Sequence, residues 1–182
     1  MSPEEALRRA SRCKDQLDMW YSQHVTLPFT QSVTINGTFP RKHFTVVLAY
    51  YGIAISIQRA LFTCAGGTSY YDLDREKLLF QDIFSVLNSL LEKELVGVWL
   101  SYCKCNLATV GTFILTVLLS STDPDVLEAR KTILDDYQRL LQQLSGKFPF
   151  AALPRLRLNL LAERFSVQIS NDEFWQASID QS

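Results

Sequence analysis

A chain of 182 residues that is 47% hydrophobic and 12% aromatic can bury a substantial core, and one folded domain is the natural expectation at this size. Its 18 basic and 19 acidic residues leave a net charge of -1, which excludes the broad positive field of a self-sufficient nucleic-acid binder. Four cysteines, Cys13, Cys64, Cys103 and Cys105, show no secretory framework, and no signal peptide is read at the N-terminus, so a reducing compartment is expected.

Ser2, Pro3 and Glu5 spell a helix start, with Ser as cap, Pro in the first turn and Glu three residues on. Ala6, Ala10, Cys13, Leu17, Trp20 and His24 then share one face of a helix expected to reach about Gln23. His24 has no second His or acidic partner at metal spacing and reads as a hydrogen-bonded structural residue. From Val25 to Phe39 the periodicity lapses around Pro28 and Asn36-Gly37, as in a loop. Phe44 to Phe62 follows with no charge until Arg59 and bulky apolar side chains on two faces, so a central helix over about 41–64 is predicted, stopped by Gly66-Gly67. Its remaining stripe is small or polar: Thr45, Ala49, Gly52, Ser56, Arg59 and Thr63.

Asp72 or Asp74 caps a third, amphipathic helix carrying Leu79, Ile83, Val86, Leu87, Leu90 and Leu91. The run from Leu95 to Leu119 is apolar enough to raise a membrane span. Lys104, Asn106, Thr109, Thr112 and Thr116 favour a buried helix of a soluble bundle instead, over about 98–120. Asp123-Pro124 stops one helix and starts the next, in which Val126, Ile133, Tyr137, Leu140, Leu141 and Leu144 lead to Gly146. A last helix holds Leu153, Leu156, Leu160, Leu161 and Phe165, with Pro154 tolerable in its first turn. The predicted fold is therefore all-α, about six helices around the two apolar ones. Residues 1–165 form the domain, and 166–182 form an acidic and aromatic tail.

No arrangement of residues points to catalysis or to a bound metal or cofactor. Cys103-x-Cys105 lacks a second pair and reads as buried thiols. Asp135 and Asp136 diverge by about 100° on a helix and read as a solvated face. Asp72-Leu-Asp74-Arg-Glu76 lacks the Gly and the terminal Glu of a calcium loop. Binding is the better prospect. The small stripes of the two apolar helices outline a candidate effector pocket at Tyr50, Tyr51, Gly52, Ser56, Arg59, Trp99, Ser101 and Gly111. Tight helix packing is the plainer meaning of the same stripes. In the tail, Phe174, Trp175 and Ile179 among Asp172, Glu173 and Asp180 form a candidate partner-binding hook, or else a segment folded back on the bundle.

Tyr50-Tyr51 followed by Gln58-Arg59-Ala60-Leu61-Phe62, the Ser120-Ser121-x-Asp123-Pro124 junction, the helix with Ala129-Arg130, Leu134 and Leu141, and the upstream Trp20-Tyr21 and Leu27-Pro28 together resemble the fungal-specific transcription factor domain. That domain is the regulatory, or middle homology, region of binuclear zinc-cluster regulators. The resemblance spans about residues 15–165, with Arg59-Ala60 where the family usually has Arg-Pro. It implies a nuclear regulatory domain, the C-terminal part of a larger helical region. Zinc and DNA contacts would belong to a separate cluster of the parent protein, with none in this segment. It also implies control by a small apolar effector, by a protein coregulator or by self-association, without a membrane and without catalysis. The alternative is a helical interaction or dimerisation module that takes no effector.

Overall fold

The computed structural model describes residues 2–26, 41–64, 73–92 and 102–179, the last stretch with side chains as far as Phe165. Six α-helices run through these residues: α1 (Pro3–Tyr21), α2 (Arg41–Cys64), α3 (Leu73–Glu92), α4 (Tyr102–Leu119), α5 (Pro124–Lys147) and α6 (Ala152–Ile179). A π-helical turn, Ser22–Thr26, ends α1, and a 3-10 turn, Pro149–Ala151, precedes α6. No strand occurs among the described residues, and the protein is an all-α bundle. The expected glycine stop after α2, the loop before it and the Asp72 cap lie outside the described residues.

Local chemistry sets the helix ends. The Ser2 hydroxyl accepts from the Glu5 amide at 3.2 Å and Pro3 opens α1, which satisfies one of the amides that a helix start leaves without a partner. The Glu5 carboxylate turns forward to Arg9 instead of back to the cap. Asp123 caps α5 in the same way, accepting from the Asp125 amide at 2.9 Å ahead of Pro124. Pro154 falls within the first turn of α6, where its missing N–H costs nothing.

The two apolar helices, α2 and α4, pack on each other, and α4 also touches α5 and α6. Leu107, Phe113, Ile114 and Val117 of α4 meet Ile55 of α2, Phe80 and Leu87 of α3, and Tyr137 and Leu141 of α5 in one core. Both helices are long and apolar enough to cross a membrane by length and composition, yet half of α4 is buried among its neighbours, and Asn106 and its three threonines have partners within the bundle. Thr109, Thr112 and Thr116 donate back to carbonyls one turn earlier. The α2 helix lies further out, with Val46 and Ile53 exposed.

The outer helix α3 is tied to α5 by a buried ion pair. Glu76 is 1% exposed and Arg130 6%. Arg130 Nη2 donates to Glu76 Oε2 at 2.7 Å, and Nε is shared between the two carboxylate oxygens at 3.1 and 3.2 Å. Nη1 donates to the Val117 carbonyl at 2.7 Å and to the Ser121 hydroxyl at 2.6 Å, both at the end of α4. Burial pushes the Glu76 carboxyl above the ordinary carboxylate range, and the bonds and charge of Arg130 pull it back in part.

Removing either partner leaves the other charge buried, so Arg130→Ala or Glu76→Leu alone is expected to cost about 3–5 kcal/mol. The pair Glu76→Leu with Arg130→Ala should cost clearly less than the sum of the two single changes. Urea unfolding of the four proteins checks this, and additive costs would mean that the pair is not coupled.

Candidate functional site

Among the described residues, the two glycines of the expected effector pocket face different neighbours. Asn106 of α4 lies against Gly52 of α2 and donates from Nδ2 to the Leu48 carbonyl at 3.1 Å. A methyl group built on Gly52 would overlap the Asn106 carboxamide, with Cγ 2.5 Å away. The gap suggested by the small residues is thus filled by a side chain that reads, in the sequence, as a polar interruption. Gly111 faces elsewhere, with Tyr137 Cε1 and Leu158 Cδ1 both 3.2 Å from its added Cβ. Five residues from Asn106 are about 140° round the same helix, so Gly52 and Gly111 cannot line one cavity.

Of the other expected members, Ser56 donates back to the Gly52 carbonyl at 2.8 Å, and Arg59 is exposed. Trp99 and Ser101 lie outside the described residues. Tyr50 and Tyr51 join Tyr21 in a cluster between α1 and α2. Tyr21 and Tyr50 stack at 3.8 Å, and Tyr51 meets Tyr50 edge-on at 5.0 Å. The Tyr50 hydroxyl donates to Asp18 at 3.0 Å, and Asp18 pairs with Lys14. Burial raises all three tyrosines above their usual value, helped at Tyr50 by the hydrogen bond and charge of Asp18 and at all three by the charge of Asp82. The buried Tyr137, whose hydroxyl donates to the Leu107 carbonyl at 2.8 Å, is raised by burial alone. These phenols tie α1 to α2 and α5 to α4 through their rings and hydroxyls.

The thiols divide. Cys103 is buried as expected, whereas Cys105, two residues round the helix, is exposed, as is Cys13. Among the described residues no three His, Cys, Asp or Glu side chains come together in a way that could hold a metal. Asp136 pairs with Arg139 on an outer face and Asp135 is exposed. His24 donates from Nδ1 to the Trp20 carbonyl at 3.0 Å and stacks on the Trp20 ring.

A different surface stands out. Helix α6 buries Pro154 and Leu158 on the side that packs against α4 and α5. On its outer side Leu153, Leu156 and Leu160 are 60%, 58% and 55% exposed. Spacings of three and four residues align these three side chains in one stripe. With Leu161, Arg157, Glu163 and Arg164 they line a shallow groove. Among the described residues Arg157 and Arg164 have no ion-pair partner. The signal was present in the sequence, because α6 has leucines all round where an ordinary surface helix has one wet face. Periodicity could not say which leucines face out. The tail side chains Phe174, Trp175 and Ile179 lie outside the described side chains, but the backbone of α6 continues as helix through them.

The fold and this groove define a helical bundle with an exposed apolar stripe on its last helix. Compared with protein-family models, curated proteins and solved structures, the chain matches none.

Two outcomes test the packing that closes the expected pocket. Gly52→Ala must displace Asn106 and break its bond to Leu48, a cost of about 1–3 kcal/mol, and adding Asn106→Ala should recover part of that loss in thermal melts. For the phenols, a folded pKa above the unfolded value of about 10 means that the unfolded chain gives up its protons first. Stability from Tyr21, Tyr50, Tyr51 and Tyr137 is therefore complete below pH 10 and lost as pH rises beyond it. An ultraviolet titration should show these four of the seven tyrosines ionising last, together with loss of helical circular dichroism.

Proposed function

We propose that this chain is a non-catalytic helical regulatory module that acts by binding a protein partner at the α6 groove. The observation that carries the reading is the stripe of Leu153, Leu156 and Leu160, each more than half exposed, flanked by Arg157 and Arg164, which have no ion-pair partner among the described residues. Contiguous apolar surface of this kind on a folded bundle marks an interaction site, and leucines at helical spacing suit an amphipathic partner helix laid along them. The arginines favour a partner with acidic flanks. Between the two functions considered from the sequence, the filled contact at Gly52 favours the interaction module over the effector sensor.

The more specific reading, the regulatory domain of a nuclear zinc-cluster regulator, keeps one supporting observation. The Ser120-Ser121 junction and the Ala129-Arg130 helix on which the resemblance rests are joined in space by Arg130 and Ser121 at 2.6 Å. On that reading the zinc cluster and the DNA contacts belong to another part of the parent protein.

Fused to a heterologous DNA-binding domain, the chain should change reporter output, and Leu156→Asp with Leu160→Asp should abolish the change. Because both side chains are exposed, the double variant should keep its thermal stability to within about 0.5 kcal/mol per site. A reporter response that survives in a folded double variant removes the groove as the working surface.

A further inference from the structure

The turn between α4 and α5 holds a serine hydroxyl against the guanidinium that fixes α3. Ser121 Oγ donates to the Val117 carbonyl at 3.0 Å and accepts from Arg130 Nη1 at 2.6 Å. Ser121 is half-buried, and Thr122, Asp123, Pro124 and Asp125 after it are exposed. We infer that Ser121 is a phosphorylation site, and that a phosphate there draws Arg130 away from Glu76 and loosens the first turns of α3. The inference is independent of the α6 groove and places a point of control elsewhere on the bundle.

Three hydroxyls stand in a row in this turn, and their surroundings separate them. Ser120 donates to the Val117 carbonyl at 2.9 Å and Thr122 is exposed, whereas the Ser121 hydroxyl is the one that Arg130 reaches. Arg130 is 6% exposed and already aimed at that oxygen, the setting in which a phosphoserine forms charge-assisted hydrogen bonds. From Asn106 to Ala129 the chain has no Lys or Arg, and no Ser or Thr there precedes a Pro, while Asp123, Asp125 and Glu128 follow Ser121. Such surroundings repel an enzyme that selects basic or proline neighbours and suit a protein kinase that selects acidic ones. In the transfer, Ser121 Oγ bonds to the γ-phosphorus of ATP and the bond from that phosphorus to the β,γ-bridging oxygen breaks. The hydroxyl proton passes to the kinase's base and ADP leaves.

The added group alters the balance at Arg130. A phosphoserine carries a charge of about −1.5 to −2 and three acceptor oxygens. Nε and Nη2 of the guanidinium hold Glu76 while Nη1 holds Ser121, so phosphate and carboxylate compete for one cation from its two sides. The phosphate has the larger charge and lies toward the exposed residues of the turn, whereas Glu76 is 1% exposed. A carboxylate kept buried beside a second anion, with its cation drawn off, is costly, and it is relieved when the backbone that carries it swings outward. Glu76 sits in the first turn of α3. Phe80, Ile83, Leu87 and Leu90 are buried further along and keep the rest of that helix in the core. The loosening is therefore confined to the start of α3, where the amides of Lys77 to Phe80 bond to the carbonyls of Leu73 to Glu76.

Two measurements on the full chain test this. Incubation with an acid-directed serine/threonine kinase and MgATP, followed by mass spectrometry, should place a phosphate on Ser121 and none there in Ser121→Ala. No incorporation, or a phosphate carried by Ser120 or Thr122 instead, overturns the assignment of the site. Hydrogen–deuterium exchange then compares the unmodified chain with one in which phosphoserine is genetically encoded at position 121. The amides of Lys77 to Phe80 should exchange at least about tenfold faster with the phosphate, and those of Ile83 to Leu90 should stay within about twofold. Exchange that is unchanged or slower at Lys77 to Phe80 overturns the competition for Arg130. Glu76→Gln supplies the sign test, because it removes the rival charge. In that background the phosphate replaces the charge that Glu76 supplied, so it should slow the same amides and raise the melting temperature. Faster exchange in both backgrounds means that the phosphate merely disturbs the turn, and the inference falls.

Discussion

One guanidinium holds three helices. Arg130 of α5 takes both carboxylate oxygens of Glu76 on α3 and, through Nη1, the Val117 carbonyl and Ser121 hydroxyl where α4 ends. A buried charge is costly unless it is paired and every donor is used. The planar fork of arginine meets that condition where a lysine could not, because its donors point in several directions at once. Satisfying it requires the turn after α4, the Asp123-Pro124 start of α5 and the first turns of α3 to occupy fixed places. The outer helix α3 is thereby registered against the core by a directional contact, while its apolar face supplies most of the burial.

A second constraint lies in α4, which is surrounded on several sides and still carries polar groups. Several of these find partners in the bundle: threonine hydroxyls bond to their own helix, Asn106 reaches the Leu48 carbonyl, and the Leu107 carbonyl accepts from Tyr137. The glycines on its two sides serve close approach. Gly52 admits Asn106, and Gly111 admits Tyr137 and Leu158. Small residues here mark places where neighbouring side chains enter, and the interior beside them is occupied.

On the proposed reading, recognition is a matter of the outer surface. Helix α6 has apolar residues on opposite sides, one set turned to α4 and α5 and the other turned to solvent as Leu153, Leu156 and Leu160. A bundle that has already buried its core gains nothing from these exposed leucines. Their spacing along a rigid helix is what an amphipathic partner needs. The tyrosine cluster between α1 and α2, by contrast, spends its polar groups on Asp18 and on one another, which suits a packing role.

The sequence by itself determined what local chemistry controls: six helices with their caps at Ser2 and Asp123, the all-α class, and the pairing of two charge-poor helices. Capping and 3.6-residue periodicity act within a few residues, so they can be read along the chain. The tertiary structure decided which side chains meet. Glu76 and Arg130 are 54 residues apart and Asn106 and Leu48 58, and nothing local links either pair. The same holds for Gly52 and Gly111, which share a composition and face different neighbours, and for the leucines of α6, whose period marks two apolar stripes without saying which is covered. A stripe becomes core or surface only when neighbouring helices take their positions, because burial belongs to the packed assembly of helices and not to any one of them.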